Sequence, residues 1–75
     1  MDAETFRMLA AGLCMGLGAI GPGIGEGIVA GKAMEAMGRN PDMSGKLLSN
    51  MILGMAITET TGIYALVVTL IILFV

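Results

Sequence analysis

The sequence predicts an all-α membrane protein, a two-helix transmembrane hairpin whose copies gather into a ring. Three observations predict it. Two long apolar runs, Met8 to Gly31 and Leu47 to Val75, flank a short polar middle. Glycines crowd the first run. Each run also holds a single charged residue, Glu26 in the first and Glu59 in the second. About 20 apolar residues span a bilayer core, so either run is long enough to cross. Lipid accepts only helices or closed barrels, and neither run shows the strict alternation of a barrel strand.

The 75 residues suffice for one domain. At 56% hydrophobic and 13% charged, the chain is too apolar for a soluble domain, whose core at this length would be marginal. The net charge of −2 points to no nucleic-acid partner. Cys14 is the single cysteine, which excludes an internal disulfide and a cysteine metal cluster. It is expected to pack as a small apolar residue. The acidic start, Met1-Asp2-Ala3-Glu4, and the length of the first apolar run differ from a secretory signal peptide.

In order, residues 1–75 read as one hairpin domain: helix 1 over about 4–38, a loop over about 39–43, and helix 2 over about 44–75. Glu35 and Arg39 stand four apart in the favourable order for a helix-face pair. Asn40 precedes Pro41 and is biased away from helix. Asp42 or Ser44 is placed to cap the second helix. Pro22 is expected to bend the first, because it removes a helix hydrogen bond. Lys32, Arg39 and Lys46 cluster about the loop, whereas Arg7 alone lies near a terminus. The positive-inside rule then puts the loop in the cytoplasm and both termini outside.

Glycines recur at Gly12, Gly16, Gly18, Gly21, Gly23, Gly25, Gly27 and Gly31. Pairs four apart are small-xxx-small contacts that let helices approach closely in lipid. Each interior glycine costs about 1 kcal/mol against alanine, so a series of this length needs a packing reason. Their spacings spread them over more than one face. A helix bare on several faces is hemmed in on several sides, as on the tight inner circle of a ring of hairpins.

Glu26 and Glu59 are candidate ion carriers, because a carboxylate within a membrane span is expensive and by default functional. Their positions sum to 85, so the midpoint falls in the turn between Asp42 and Met43. Residues equally far from the turn of an antiparallel hairpin lie side by side, here roughly 25 Å from the turn at about 1.5 Å per residue. Two bare charges there are not tolerable. Either each group holds a proton, or the pair holds one proton and one cation such as Na+. A hard cation wants several oxygens, and Thr60, Thr61 and Tyr64 follow Glu59 closely. Thr60 lies about 100° around the helix from Glu59. A site shared between neighbouring hairpins solves this, one giving the glutamates and the next giving Thr60 and a carbonyl. The bland alternative is a threonine bonded to its own helix backbone.

These features together resemble one family, the ring-forming c subunit (proteolipid) of rotary F-type ATP synthases. The likeness rests on Gly21-Pro22-Gly23-Ile24-Gly25-Glu26-Gly27, on Arg39-Asn40-Pro41 and on Glu59-Thr60-Thr61-Gly62-Ile63-Tyr64. The family's loop more often reads Arg-Gln-Pro, and Asn40 departs from it mildly. The resemblance implies a closed homo-oligomeric ring, first helices inside and second helices outside, in contact with membrane lipid. It implies that Glu59 carries the ion, that the ring turns against the a subunit, and that Arg39, Asn40 and Pro41 touch the central stalk. It also implies residence in a bacterial inner membrane, no catalytic site in this chain and no organic cofactor.

Sodium-type members resemble this chain more closely than proton-type ones. In their pattern Glu26 and Glu59 come from one subunit, Thr60 and the Ile57 carbonyl from its neighbour, and Thr61 and Tyr64 complete the signature, Tyr64 supporting Glu59. Glu26, where many sodium members have Gln, marks a two-carboxylate variant. It also leaves a proton cycle open. A pore or scaffold hairpin is the remaining alternative; it leaves the matched depth of the two glutamates without a reason.

Overall fold

The computed structural model describes residues 2–75. Three α-helices and one short 3-10 turn form a slab with Cα extents of 58 × 17 × 9 Å. The helices are α1 (Ala3–Gly18), α2 (Ile20–Arg39) and α3 (Ser44–Phe74), with the turn at Pro41–Met43. The architecture is an all-α hairpin in which α1 and α2 run one way and α3 returns along both. Two spans, Ala3–Arg39 and Pro41–Phe74, are long and apolar enough to cross a membrane. A hydrocarbon core is about 30 Å thick, so the 58 Å slab projects beyond it.

Asp2 caps α1: its carboxylate accepts from the Thr5 amide at 2.8 Å. That bond to Thr5 holds the Asp2 carboxyl below the usual carboxylate range. The first span, expected as one helix over about 4–38, is interrupted at Ala19. The reason is Pro22. It has no N–H, so the carbonyl of Gly18, four residues earlier, loses its helical donor. The interruption therefore falls before the proline rather than at it. The ladder runs up to the break, with Ala19 N–H donating to the Met15 carbonyl at 2.9 Å, and resumes just past it, with Gly23 N–H donating to the Ala19 carbonyl at 3.0 Å.

At the other end helix geometry runs through Arg39, whose guanidinium donates to Glu35 at 2.8 Å. Asn40 leaves the helix (φ −133°, ψ 75°), as a residue before proline does. The caps expected at Asp42 or Ser44 do not form. Ser44 is already helical (φ −55°, ψ −42°), and Met43 takes the capping position without a side-chain bond. The 3-10 turn at Pro41 tightens the connection, so the Ser44 hydroxyl donates back to the Pro41 carbonyl at 2.7 Å.

The contact stripe of the first span is Ala11, Met15, Gly18, Pro22, Gly25 and Val29, all buried or half-buried. Its steps alternate four and three, the 3.5-residue repeat of helices packed at a shallow left-handed crossing. The stripe is thin. Ala11 is the one buried hydrophobic residue among those described, while Leu17, Ile24, Ile28 and Leu53 stay exposed. Buried Thr69 satisfies its hydroxyl on the Ala65 carbonyl at 2.7 Å. Such an apolar exterior fits lipid and further copies of the chain rather than water.

Close approach depends on a few glycines. A Cβ on Gly18 would lie 2.6 Å from the Ala65 Cβ, and one on Gly25 would lie 2.6 Å from the Thr58 methyl. Gly54 faces Val29 at 3.3 Å. Of the eight glycines in the series, only Gly18 and Gly25 meet anything inside the hairpin. Gly12, Gly16, Gly21, Gly23, Gly27 and Gly31 have nothing within 4 Å of a Cβ position. Their bare backbone is available only to something outside the hairpin. Cys14 is half-buried, its thiol 3.6 Å from the Ala65 carbonyl.

Candidate functional site

Glu26 on α2 and Glu59 on α3 are half-buried on the facing sides of the hairpin. Both project into the seam between the two helices. Register places them there. Gly18 opposes Ala65, Gly25 opposes Thr58 and Val29 opposes Gly54, each pair of positions summing to 83. In this antiparallel register Glu26 stands opposite Ile57, so Glu59 is two residues, about 3 Å, off level with it, where the sequence reading had set the two side by side. Counted along α3 at about 1.5 Å per residue, Glu59 stands roughly 23 Å from either end, deep in the span.

Thr58 belongs to this site and escaped the sequence reading. Its hydroxyl donates to the Gly54 carbonyl at 2.8 Å, which turns its methyl onto Gly25. A register that paired Glu26 with Glu59 would set Thr60 opposite Gly25; Thr58 takes that place because facing positions sum to 83 and not 85.

The remaining candidates are not brought to the carboxylates within one hairpin. Ile57 and Tyr64 are each 66% exposed, and Thr60 and Thr61 are exposed beside them. Thr60 donates to the Ala56 carbonyl at 3.3 Å, the local backbone bond of a threonine in an apolar helix. The reason is rotation: successive residues are 100° apart, so Glu59 and Thr60 address different neighbours. The oxygen set Glu26, Glu59, Thr60 and the Ile57 carbonyl is thus divided between the inner and outer faces of a single chain. Among the described residues no three acidic or other metal-binding side chains converge. A cation at the carboxylate pair needs hydroxyl or carbonyl oxygens to complete its shell. Arg39, Asn40 and Pro41 stand exposed at the loop end. A cavity of about 360 Å³ between the opposite ends, lined by Ala3, Glu4, Arg7, Met8 and Leu73, is remote from the carboxylates.

Fold and site together define a class: a membrane hairpin that holds a carboxylate pair deep in its span. Comparison with known proteins narrows it. The sequence profile of the ATP synthase c subunit matches residues 9–72. An ATP synthase c subunit from Petrotoga mobilis is 59% identical over 69 residues, covering 92% of this chain and 72% of that one. One of the same name from Dehalococcoides mccartyi is 52% identical over 75 residues, covering 100% and 99%. Another from Thermotoga petrophila is 55% identical over 69 residues, covering 92% and 81%. The chain belongs to the ATP synthase c subunit family. Proteins of this family are ion-translocating rotor components without an organic cofactor, and catalysis belongs to other subunits.

Proposed function

We infer that this chain is the sodium-carrying subunit of a closed c-ring, with Glu59 as the carrier. Glu26 of the same hairpin shares the site. Thr60 and the Ile57 carbonyl come from the adjacent hairpin, with Tyr64 supporting Glu59 and Thr61 completing the signature. One observation carries this reading: both glutamates are half-buried in the seam of the hairpin while Thr60 and Thr61 are exposed, open to a neighbouring copy. Thr60 remains able to ligate, because donating its proton to Ala56 leaves the oxygen's lone pairs free.

The cycle follows from charge. An ion enters through the a subunit and loads the Glu59 site. One proton and one Na+ cancel the two carboxylates, so the loaded site can face lipid. The ring turns until the site meets the a subunit again, where, by the family pattern, a fixed arginine displaces the ion. The potential supplies about 2.3 kcal/mol per charge per 100 mV, in addition to the ion gradient. Rotation passes to the central stalk through Arg39, Asn40 and Pro41. From the basic residues at the loop we read the loop as cytoplasmic and both termini as outside, and the membrane as a bacterial inner membrane.

The proton reading has support of its own: two carboxyls that share one half-buried seam can hold protons alone. Carbodiimide labelling of Glu59 in the isolated ring separates the two, because the reagent needs a protonated carboxyl. Sodium is expected to protect at fixed pH and potassium not to. Labelling that follows pH and ignores sodium would establish the proton ring instead. Thr60→Ala should raise the sodium needed for half-protection about tenfold, as loss of one contact to a charged group does. Its labelling without sodium should match the parent ring.

A further inference from the structure

Gly62 is buried, yet the facing helix does not account for its lack of a side chain. A Cβ there would lie 2.6 Å from Glu59 Oε1 and 3.2 Å from its Cδ, but 3.4 Å from Pro22 Cγ. The last distance is close to ordinary carbon–carbon contact. A methyl at residue 62 therefore fits against Pro22. What it cannot do is share its place with the Glu59 carboxyl. Gly18 and Gly25 differ in kind, since a Cβ on either meets a side chain of the opposite helix.

Residues i and i+3 are neighbours on a helix surface, so the Glu59 side chain reaches over Gly62. Pro22, also buried, walls the far side. Glu26, four residues after Pro22 and on the same face, is half-buried on the other helix.

We propose that Gly62 is a positioning residue for the carrier: its missing Cβ is the seat that draws the Glu59 carboxyl inward against Glu26 and away from lipid. The inference rests on the reading of Glu59 as the carrier. A methyl at the seat displaces the end of a flexible side chain and no backbone, so its effect falls on carboxyl position. Helix stability does not suffer, because alanine is the better helix former.

The test is carbodiimide labelling of the assembled Gly62→Ala ring, without sodium, at a pH low enough that the rate has reached its plateau. The adduct is located by mass spectrometry. The variant ring should assemble with an unchanged thermal midpoint. Glu59 should label roughly three- to tenfold faster than in the parent, the range that a strained rotamer sets. An unchanged rate with the adduct on Glu59 overturns the seat and leaves the carrier assignment standing. An adduct on Glu26 overturns the carrier assignment, and the seat with it.

Glu59→Asp supplies the second comparison. Aspartate withdraws the carboxyl by one methylene, so adding Gly62→Ala to that ring should leave its labelling rate unchanged. Equal acceleration in both backgrounds would mean general loosening and overturn the proposal. So would failure of the double variant to assemble, since the seat leaves no other clash at residue 62.

Discussion

Glu59→Gln is expected to abolish ion-coupled ATP synthesis completely while the ring still assembles. Glutamine keeps the length and shape of the side chain and can still hydrogen-bond. It carries no charge and has no proton to exchange with an ion. The potential then does no work on the site, because its contribution scales with the charge moved. Assembly should not suffer, since a neutral amide is easier to hold in a membrane span than a carboxylate. The measurement is sodium-driven and proton-driven ATP synthesis in vesicles carrying the whole synthase, with ring integrity followed on detergent gels. Residual coupled synthesis with an intact variant ring would falsify the assignment of Glu59.

Gly18→Val is expected to abolish the ring itself. Even the first carbon of a side chain at residue 18 would stand 2.6 Å from the Ala65 Cβ, about 1 Å inside normal contact. Valine adds two methyls on that carbon. Helices in lipid gain no hydrophobic drive from meeting each other, and their association depends on close packing and hydrogen bonds. Overpacking costs typically 1–3 kcal/mol in a well-packed core. Here the cost recurs in every copy of the ring. The stripe has little else to offset it, since Ala11 is the one buried hydrophobic residue among those described. Native gels of extracted membranes should show no assembled ring. Gly54→Ala is the contrast: its new methyl meets Val29 at 3.3 Å, where a rotamer shift suffices, and the ring should persist. A Gly18→Val ring in normal amount would show that the hairpin closes by some other contact than this stripe.

The lengths of the runs, the turn at Asn40-Pro41 and the approximate depth of both glutamates could be read from the chain. Apolar length measures a membrane, and helical rise is constant, so equal distance from a turn means nearly equal depth. The family is also legible, because its features are spread over the whole sequence and few other arrangements place a carboxylate there. Less legible was the part each glycine plays. Gly12 and Gly18 look alike in a sequence, but only Gly18 lies against α3. That choice depends on the rotation of two helices about their own axes, which the facing side chains set together.

The same cause hid Thr58, whose methyl matters only because Gly25 is opposite it. It also hid the true ends of the elements. The interruption lies at Ala19 because the lost bond belongs to the carbonyl four residues before Pro22, and Ser44 cannot cap because a 3-10 turn has already made it helical. Sequence alone determined what must cross the membrane and what charge must be neutralised there, since both follow from transfer energies summed along the chain. Only the tertiary structure decided which backbone atoms touch and where the Glu59 carboxyl rests, since contact depends on the relative rotation of two helices, and no single helix contains that angle.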